Sequence, residues 1–229
     1  MRTQHFIRYA SLIAGVHWAL SPALVQANQL YTVNLNTAPL IGHLAAPFYL
    51  DFQLDDGSGT GDANNTATLS NFQFGGGSAT GSPSTQGGAL GNLSSAVVIH
   101  DSAFMNEFYQ EFIPGNTLSF TVDLTTQVES PTPDQFSFAI LDNTLTELPT
   151  QGFFDVFATI DIDSTSPPVQ TFASNPNVPP AGGGGGITMA APTAQAVPEP
   201  TTLVLLVIGM GGLLWSVSLR KELKLGFPS

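Results

Sequence analysis

The chain has 229 residues, no cysteine and a formal net charge of −12, a length that fits one domain with appendages and a composition that excludes disulfides and thiolate metal sites. Its five basic residues, Arg2, Arg8, Arg220, Lys221 and Lys224, all lie near the ends, so residues 28–197 contain neither Lys nor Arg. Of the 17 acidic residues only Glu199 and Glu222 fall outside that stretch, which leaves it a formal −15; nucleic acid, which is bound through Lys and Arg, is excluded as a partner, and anionic lipid headgroups are repelled. Divalent cations and neutral polysaccharides remain compatible with such a surface.

Residues 1–27 read as a secretory signal peptide. Arg2 and Arg8 supply the basic region, Tyr9–Leu20 the apolar one, and Pro22 a helix break. Val25 and Ala27 are the small residues at the −3 and −1 positions, so cleavage by signal peptidase is expected after Ala27 and places the chain on the secretion machinery.

Residues 28–163 read as an all-β ectodomain, a β-sandwich or jelly roll. Phe48, Leu50, Phe52 and Leu54 alternate with polar or amphipathic residues, as do Leu118, Phe120, Val122 and Leu124, and as do Phe154, Val156, Ala158, Ile160 and Ile162. A period of two marks half-buried strands. Weaker strands are expected at Tyr31–Asn36, Thr66–Phe74, Ser95–His100 and Phe136–Leu141, with a phase shift between Leu69 and Phe72 that predicts a β-bulge. Phe104, Phe108 and Phe112 recur every four residues, which predicts a short helical turn running into a strand.

No catalytic constellation stands out. G-x-S-x-G, H-E-x-x-H and Walker motifs are absent, and His43 and His100 stand alone. Glu107 and Glu111 read as solvent-facing carboxylates of one strand face. The glycine-rich stretch Gly75–Gly91 has no Lys to meet a phosphate and reads as a flexible hairpin or crossover loop. A non-enzymatic chain is therefore expected. The cluster Asp55-Asp56-Gly57-Ser58-Gly59-Thr60-Gly61-Asp62-Ala63-Asn64-Asn65 follows a strong strand. Its short oxygen ligands on a glycine-bent loop suit a structural calcium ion, with Asp55, Asp56, Asp62, Asn64 and Asn65 as candidates, although it lacks the EF-hand pattern; the alternative is an ordinary Asp/Gly/Asn turn.

Residues 164–196 are rich in Pro, Gly, Ser, Thr and Ala and read as a flexible linker. Residues 201–219 are free of charge and long enough, at 1.5 Å per residue, to cross a bilayer as a helix. Arg220, Lys221 and Lys224 follow at once. By the positive-inside rule they keep a short tail, residues 225–229, in the cytoplasm and the ectodomain in the periplasm, anchored to the inner membrane.

Val197, Pro198, Glu199 and Pro200 stand directly before this helix. The Pro-Glu-Pro tripeptide, the charge-free helix and the basic stop, together spanning residues 197–224, resemble the PEP-CTERM sorting signal. The resemblance implies recognition by exosortase, processing near Pro198–Pro200, and delivery to the cell surface or an exopolysaccharide matrix. Similar tails occur on some ice-binding proteins, but the repeated Thr-rich face that ice binding uses is not seen here. The segments FYLDFQL, LSNFQFGGG, FMNEFYQEF and PDQFSFAILD also resemble a recurring PEP-CTERM ectodomain, from which no activity carries over. The expected function is an exported, non-enzymatic surface or matrix protein associated with exopolysaccharide. The alternatives are a carbohydrate-binding module, short of tryptophan because Trp18 and Trp215 lie outside the ectodomain, and a polysaccharide-acting enzyme.

Overall fold

A computed structural model describes residues 28–128 and 131–197. The signal-peptide site at Ala27, the residues Pro198, Glu199 and Pro200, the predicted helix 201–219 and the basic cluster at Arg220, Lys221 and Lys224 lie outside the described residues. No helix among the described residues is long and apolar enough to cross a membrane.

The described chain is all-β. Its strands are β1 (Asn28–Asn36), β2 (Phe48–Asp55), β3 (Thr66–Gln73), β4 (Ser78–Ala79), β5 (Ser84–Gln86), β6 (Gly88–Gly91) and β7 (Val97–His100), followed by β8 (Met105–Ile113), β9 (Thr117–Thr125), β10 (Gln135–Leu141), β11 (Ala158–Asp161), β12 (Val169–Thr171) and β13 (Thr193–Val197). They form two antiparallel sheets. Sheet A runs β13-β1-β9-β3-β7-β6; sheet B runs β12-β11-β10-β2-β8-β4, with β5 also on β8.

The alternation read in the sequence becomes the inner face of each sheet, because successive side chains of a strand point to opposite sides. Phe48, Leu50, Phe52 and Leu54 of β2 meet Leu118, Phe120, Val122 and Leu124 of β9 in one core. Phe52 is its centre: its ring lies 5.3 Å from that of Phe120, 5.4 Å from Phe138 and 6.1 Å from Phe72, centroid to centroid. These separations fall within the attractive range for stacked, tilted and edge-on rings. The predicted bulge is present. The β3–β9 register shifts between Ser70 and Gln73, with Asn71 in the left-handed region at φ 56°.

Four expectations are corrected. The four-residue Phe spacing does not give a helical turn: bends at 102–104 lead straight into β8, where Phe108 and Phe112 point inward with Asn106 and Gln110 while Phe104 stays exposed. A period of four is also a multiple of two, and pairing with β2 along its whole length decides in favour of the strand. The glycine-rich stretch is not one open loop, since it supplies β4 and β5 to β8 and β6 to β7. Gly77 permits this approach, because a Cβ there would collide with the Ile113 carbonyl.

The strand expected from Phe153 to Ile162 begins only at Ala158. Phe154 and Asp155 take left-handed backbone angles, φ 64° and 53°, and turn the chain, so the alternation before Val156 never meets a sheet.

The fourth correction concerns residues 164–196, which are folded. β12 pairs with β11 and β13 pairs with β1. Ile187 and Met189 enter the core. The buried Ser174 hydroxyl donates to the Ile187 carbonyl at 2.7 Å and accepts the Met189 N–H at 2.7 Å. The Tyr31 hydroxyl donates to the Pro167 carbonyl at 2.7 Å. Composition counts how few large apolar residues there are; a segment closing the edge of an existing sandwich needs only a few, correctly placed.

Candidate functional site

Two polar features stand out, both at or beside the end of β2. The first is the outer face of sheet B. Alternation that buries Phe52 and Leu54 turns Asp51, Gln53 and Asp55 outward, and the β2–β8 register sets Glu107 opposite Gln53 and Tyr109 opposite Asp51. The β2–β10 register sets Ser137 opposite Gln53 and Gln135 opposite Asp55. A groove of about 440 Å³ runs over this face, lined by Gln53, Asp55, Gln135, Ser137, Glu147 and Asp155, with Phe154 at its wall.

The groove wall is built by the turn that interrupts the expected strand. Asp155 Oδ1 accepts the Thr150 N–H at 2.9 Å and so closes the turn. Phe153 and Phe154 then stand in solvent, 78 % and 75 % exposed, edge to face with centroids 4.5 Å apart. A bulky residue held at positive φ and left in water is conformationally costly. Tyr49 and Tyr109 pack edge to face farther along the same face, at 6.1 Å.

Asp51, on the same face of β2 as Gln53 and Asp55, is 1 % exposed. Burial first, then the nearby Glu107, Glu147 and Asp55 carboxylates, push its carboxyl up to about 8, opposed by a hydrogen bond from Gln53. Gln53 Nε2 donates to Asp51 Oδ2 at 3.0 Å and lies 3.5 Å from Glu107 Oε1, bridging the two carboxylates. Burial also raises the Glu107 carboxyl, helped by Glu147 and Asp55. Glu111 lies on the same outward face of β8, two pleats along.

The second feature is the loop after β2 with the segment after β7. Asp56 is buried; its Oδ1 accepts the Ser58 hydroxyl at 2.6 Å and the Gly59 N–H at 2.8 Å, and its Oδ2 accepts the Asp62 N–H at 3.0 Å. Burial raises this carboxyl, but the hydroxyl of Ser58 and the N–H groups of Asp62, Gly59 and Gly61 outweigh it and hold it below the usual range. Asp101 is wholly buried. Its Oδ2 accepts the Asn65 N–H at 2.8 Å, while Oδ1 has no hydrogen-bond partner.

Asp134 accepts the Gly57 N–H at 2.8 Å and the Asn65 Nδ2–H at 2.7 Å. One oxygen each from Asp56, Asp62 and Asp101 come within 4.8 Å of one another. Of the calcium candidates in the sequence, Asp56 and Asp62 belong to this cluster. Asp55 instead turns into the groove, Asn64 caps the Asp62 carboxylate through its N–H and Nδ2, and Asn65 ties the loop to Gln127 and Asp134. Asp101 and Asp134 are remote in sequence, and only the β3–β7 pairing, which sets Thr66 opposite His100, brings Asp101 to the loop.

Val197, the first residue of the expected sorting signal, is the last of β13, paired with Leu30 of β1. No curated protein and no solved structure matches the chain. A family model does match its end, overlapping the last residues of β13, and by it the chain carries a PEP-CTERM protein-sorting motif at residues 196–221, the mark of an exported protein targeted to exosortase.

Proposed function

We propose that this protein is a non-enzymatic surface or matrix protein that holds neutral exopolysaccharide in the groove on the outer face of sheet B. The observation that carries this reading is the exposed Phe153–Phe154 pair, with Phe154 held at positive φ on the wall of a groove lined by Gln53, Gln135 and Ser137. Sugar rings present apolar C–H faces to aromatic rings and hydroxyls to amides and carboxylates, and sites of this kind combine apolar walls with a few placed polar groups. The carboxylates of Asp55, Glu147 and Asp155, with no Lys or Arg between residues 28 and 197, favour uncharged over anionic polymers.

A binding role fits better than hydrolysis. Asp51, the carboxyl pushed up to about 8, is 1 % exposed, whereas a general acid must reach the glycosidic oxygen directly or through one water; burial also raises Asp55 and Glu107, so release of reducing sugar is the test that separates the two roles. The sorting motif would place the domain where such polymers are found, after an inner-membrane precursor with its ectodomain in the periplasm.

Two measurements test the reading. Affinity electrophoresis of the full chain in detergent, through gels containing neutral or uronate-bearing polysaccharide, should show retardation by the neutral polymer that Phe154→Ala reduces about tenfold. Equal mobility of both proteins in every gel refutes the binding role, and release of reducing sugar refutes the non-enzymatic one. In an exosortase-bearing host, Glu199→Ala should leave the protein full-length in the inner membrane while the wild type loses its end and reaches the surface.

A further inference from the structure

We propose that the Asp56, Asp62 and Asp101 carboxylates hold a divalent cation, with calcium the ion their all-oxygen donor set fits best. Three independent observations converge on it. The three oxygens already lie within 4.8 Å of one another, contributed by a loop and by a segment about forty residues away. Asp101 is fully buried, yet one of its carboxylate oxygens has no hydrogen-bond partner. An unsatisfied buried carboxylate oxygen is costly and marks a missing ligand or proton.

Between residues 28 and 197 there is also no Lys or Arg to neutralise the cluster, and Asp134, itself buried, brings a fourth carboxylate beside it through Asn65. Buried charges in folded proteins are paired or bound to metal. Here no Lys or Arg of residues 28–197 supplies that pairing.

The ligand chemistry selects the ion. The donors are hard carboxylate oxygens, with neither His nor Cys, which disfavours zinc and copper. Calcium accepts six to eight oxygens in flexible geometry, whereas magnesium demands a near-ideal octahedron and sheds water reluctantly. Three carboxylates leave the remaining positions to backbone carbonyls and water. The loop is already fixed on the carboxylates by the Ser58 hydroxyl and by the Gly59 and Asp62 N–H groups, so binding need not order it from a random chain.

The site also touches the groove indirectly. Asp56 follows Asp55 in the chain, and Asp134 precedes Gln135, both groove-lining residues. Calcium on Asp56 would therefore fix the groove residue Asp55 by its backbone, but the cation site does not depend on the sugar-binding reading.

The test uses the full chain in detergent, stripped with EDTA and titrated with calcium chloride, with magnesium chloride in parallel. Saturating calcium should raise the thermal midpoint by about 5–10 °C, the shift that ligand at a hundredfold its dissociation constant gives a domain of this size, and magnesium should do so only at far higher concentration. Asp62→Ala is the main variant, because Asp62 is exposed and the bond it gives Asp56 comes from its backbone. Loss of its exposed bonds from Asn64 should lower the calcium-free midpoint slightly, and calcium affinity by calorimetry should fall at least tenfold. No binding heat and no midpoint shift at about 10 mM calcium, roughly ten times the dissociation constant of the weakest extracellular sites, would overturn the proposal. So would an Asp62→Ala response equal to wild type, or a midpoint that follows pH but not calcium, which would mean that Asp101 and Asp134 share a proton instead. Retardation by polysaccharide, measured separately with Phe154→Ala, reports on the groove alone.

Discussion

Replacing Asp51 with asparagine isolates the electrostatic cost of the outer face of sheet B. In the native protein burial and the neighbouring Glu107, Glu147 and Asp55 carboxylates push the Asp51 carboxyl from 3.8 up to about 8. The unfolded chain gives up this proton near pH 4, and the folded one keeps it to about pH 8. Between those values the native state binds more protons, so its stability falls as pH rises. At pH 7 the folded state carries a penalty of about three pH units of proton binding, at most about 4 kcal/mol at 1.36 kcal/mol per unit. Asparagine has no proton to lose and still offers an oxygen to Gln53 Nε2. At pH 5, where wild-type Asp51 is neutral when folded but already ionised when unfolded, the penalty is only about 1.6 kcal/mol. By pH 8 the variant's advantage should have grown by up to about 4 kcal/mol, or roughly 2 M in the urea midpoint for an m-value of about 2 kcal/mol/M. The assay is urea unfolding at half-unit pH steps, followed by tyrosine near-UV circular dichroism. Glu107 gives the wild type some slope of its own, so the quantity to read is the difference between the two profiles. Parallel profiles from pH 5 to 8 would refute the reasoning and mean that Asp51 is solvated and charged in the folded protein.

Other perturbations probe other layers of the structure. Phe52→Ala removes the ring at the centre of the aromatic core and should cost about 3–5 kcal/mol in urea unfolding. Gly186→Ala would drive a Cβ into the Pro176 carbonyl; it should destabilise the fold by more than 1 kcal/mol on the order expected for overpacking and speed proteolysis between 164 and 196, whereas a linker would ignore it. Phe154→Gly relieves a left-handed residue and should raise stability by up to about 1 kcal/mol, yet lose retardation by neutral polysaccharide, separating the cost of presenting the ring from its use.

The strands of the core were legible because their signal is local. Alternation in β2 and β9 is set by which side chains face the other sheet, and that demand acts on every second residue of a single run. The turn at Phe153–Asp155 defeated the same reading because its residues still alternate in polarity, and two left-handed φ angles leave no trace in a pattern of period two. What distinguishes them in sequence is only two adjacent phenylalanines after Gly152, in a run otherwise read as one strand. The site was half-legible for a related reason. Asp56 and Asp62 sit on one glycine-bent loop and announce themselves, but Asp101 and Asp134 reach it through sheet pairing and an Asn65 amide, contacts between residues tens of positions apart. Asp55 and Asp56, neighbours in sequence, part company because a strand ends between them.

The folding of residues 164–196 changes what the sorting motif can be attached to. A flexible linker would have held the domain well away from the membrane and offered exosortase a loose approach to Pro198–Pro200. Instead β13 ends at Val197, already hydrogen-bonded to β1, and the motif begins within that strand at residue 196. Its side chains are largely exposed and it lies at the edge of sheet A, so it is held mainly by one row of backbone hydrogen bonds. Edge strands of this kind open at far lower free energy than the core beneath them. The order of events in processing then follows from the geometry. If exosortase needs several extended residues before the tripeptide, β13 must peel from β1 first, and substitutions that tighten the strand should slow processing without touching the motif. Thr193→Val, at an exposed edge position paired with Asn34, raises strand propensity by a fraction of the roughly 1 kcal/mol scale while leaving Pro198, Glu199 and Pro200 intact. Pulse-chase of full-length and processed forms in an exosortase-bearing host should show slower conversion for this variant; a rate equal to wild type, with faster conversion also absent for Ala194→Pro, would mean that the enzyme takes the motif with β13 still in place.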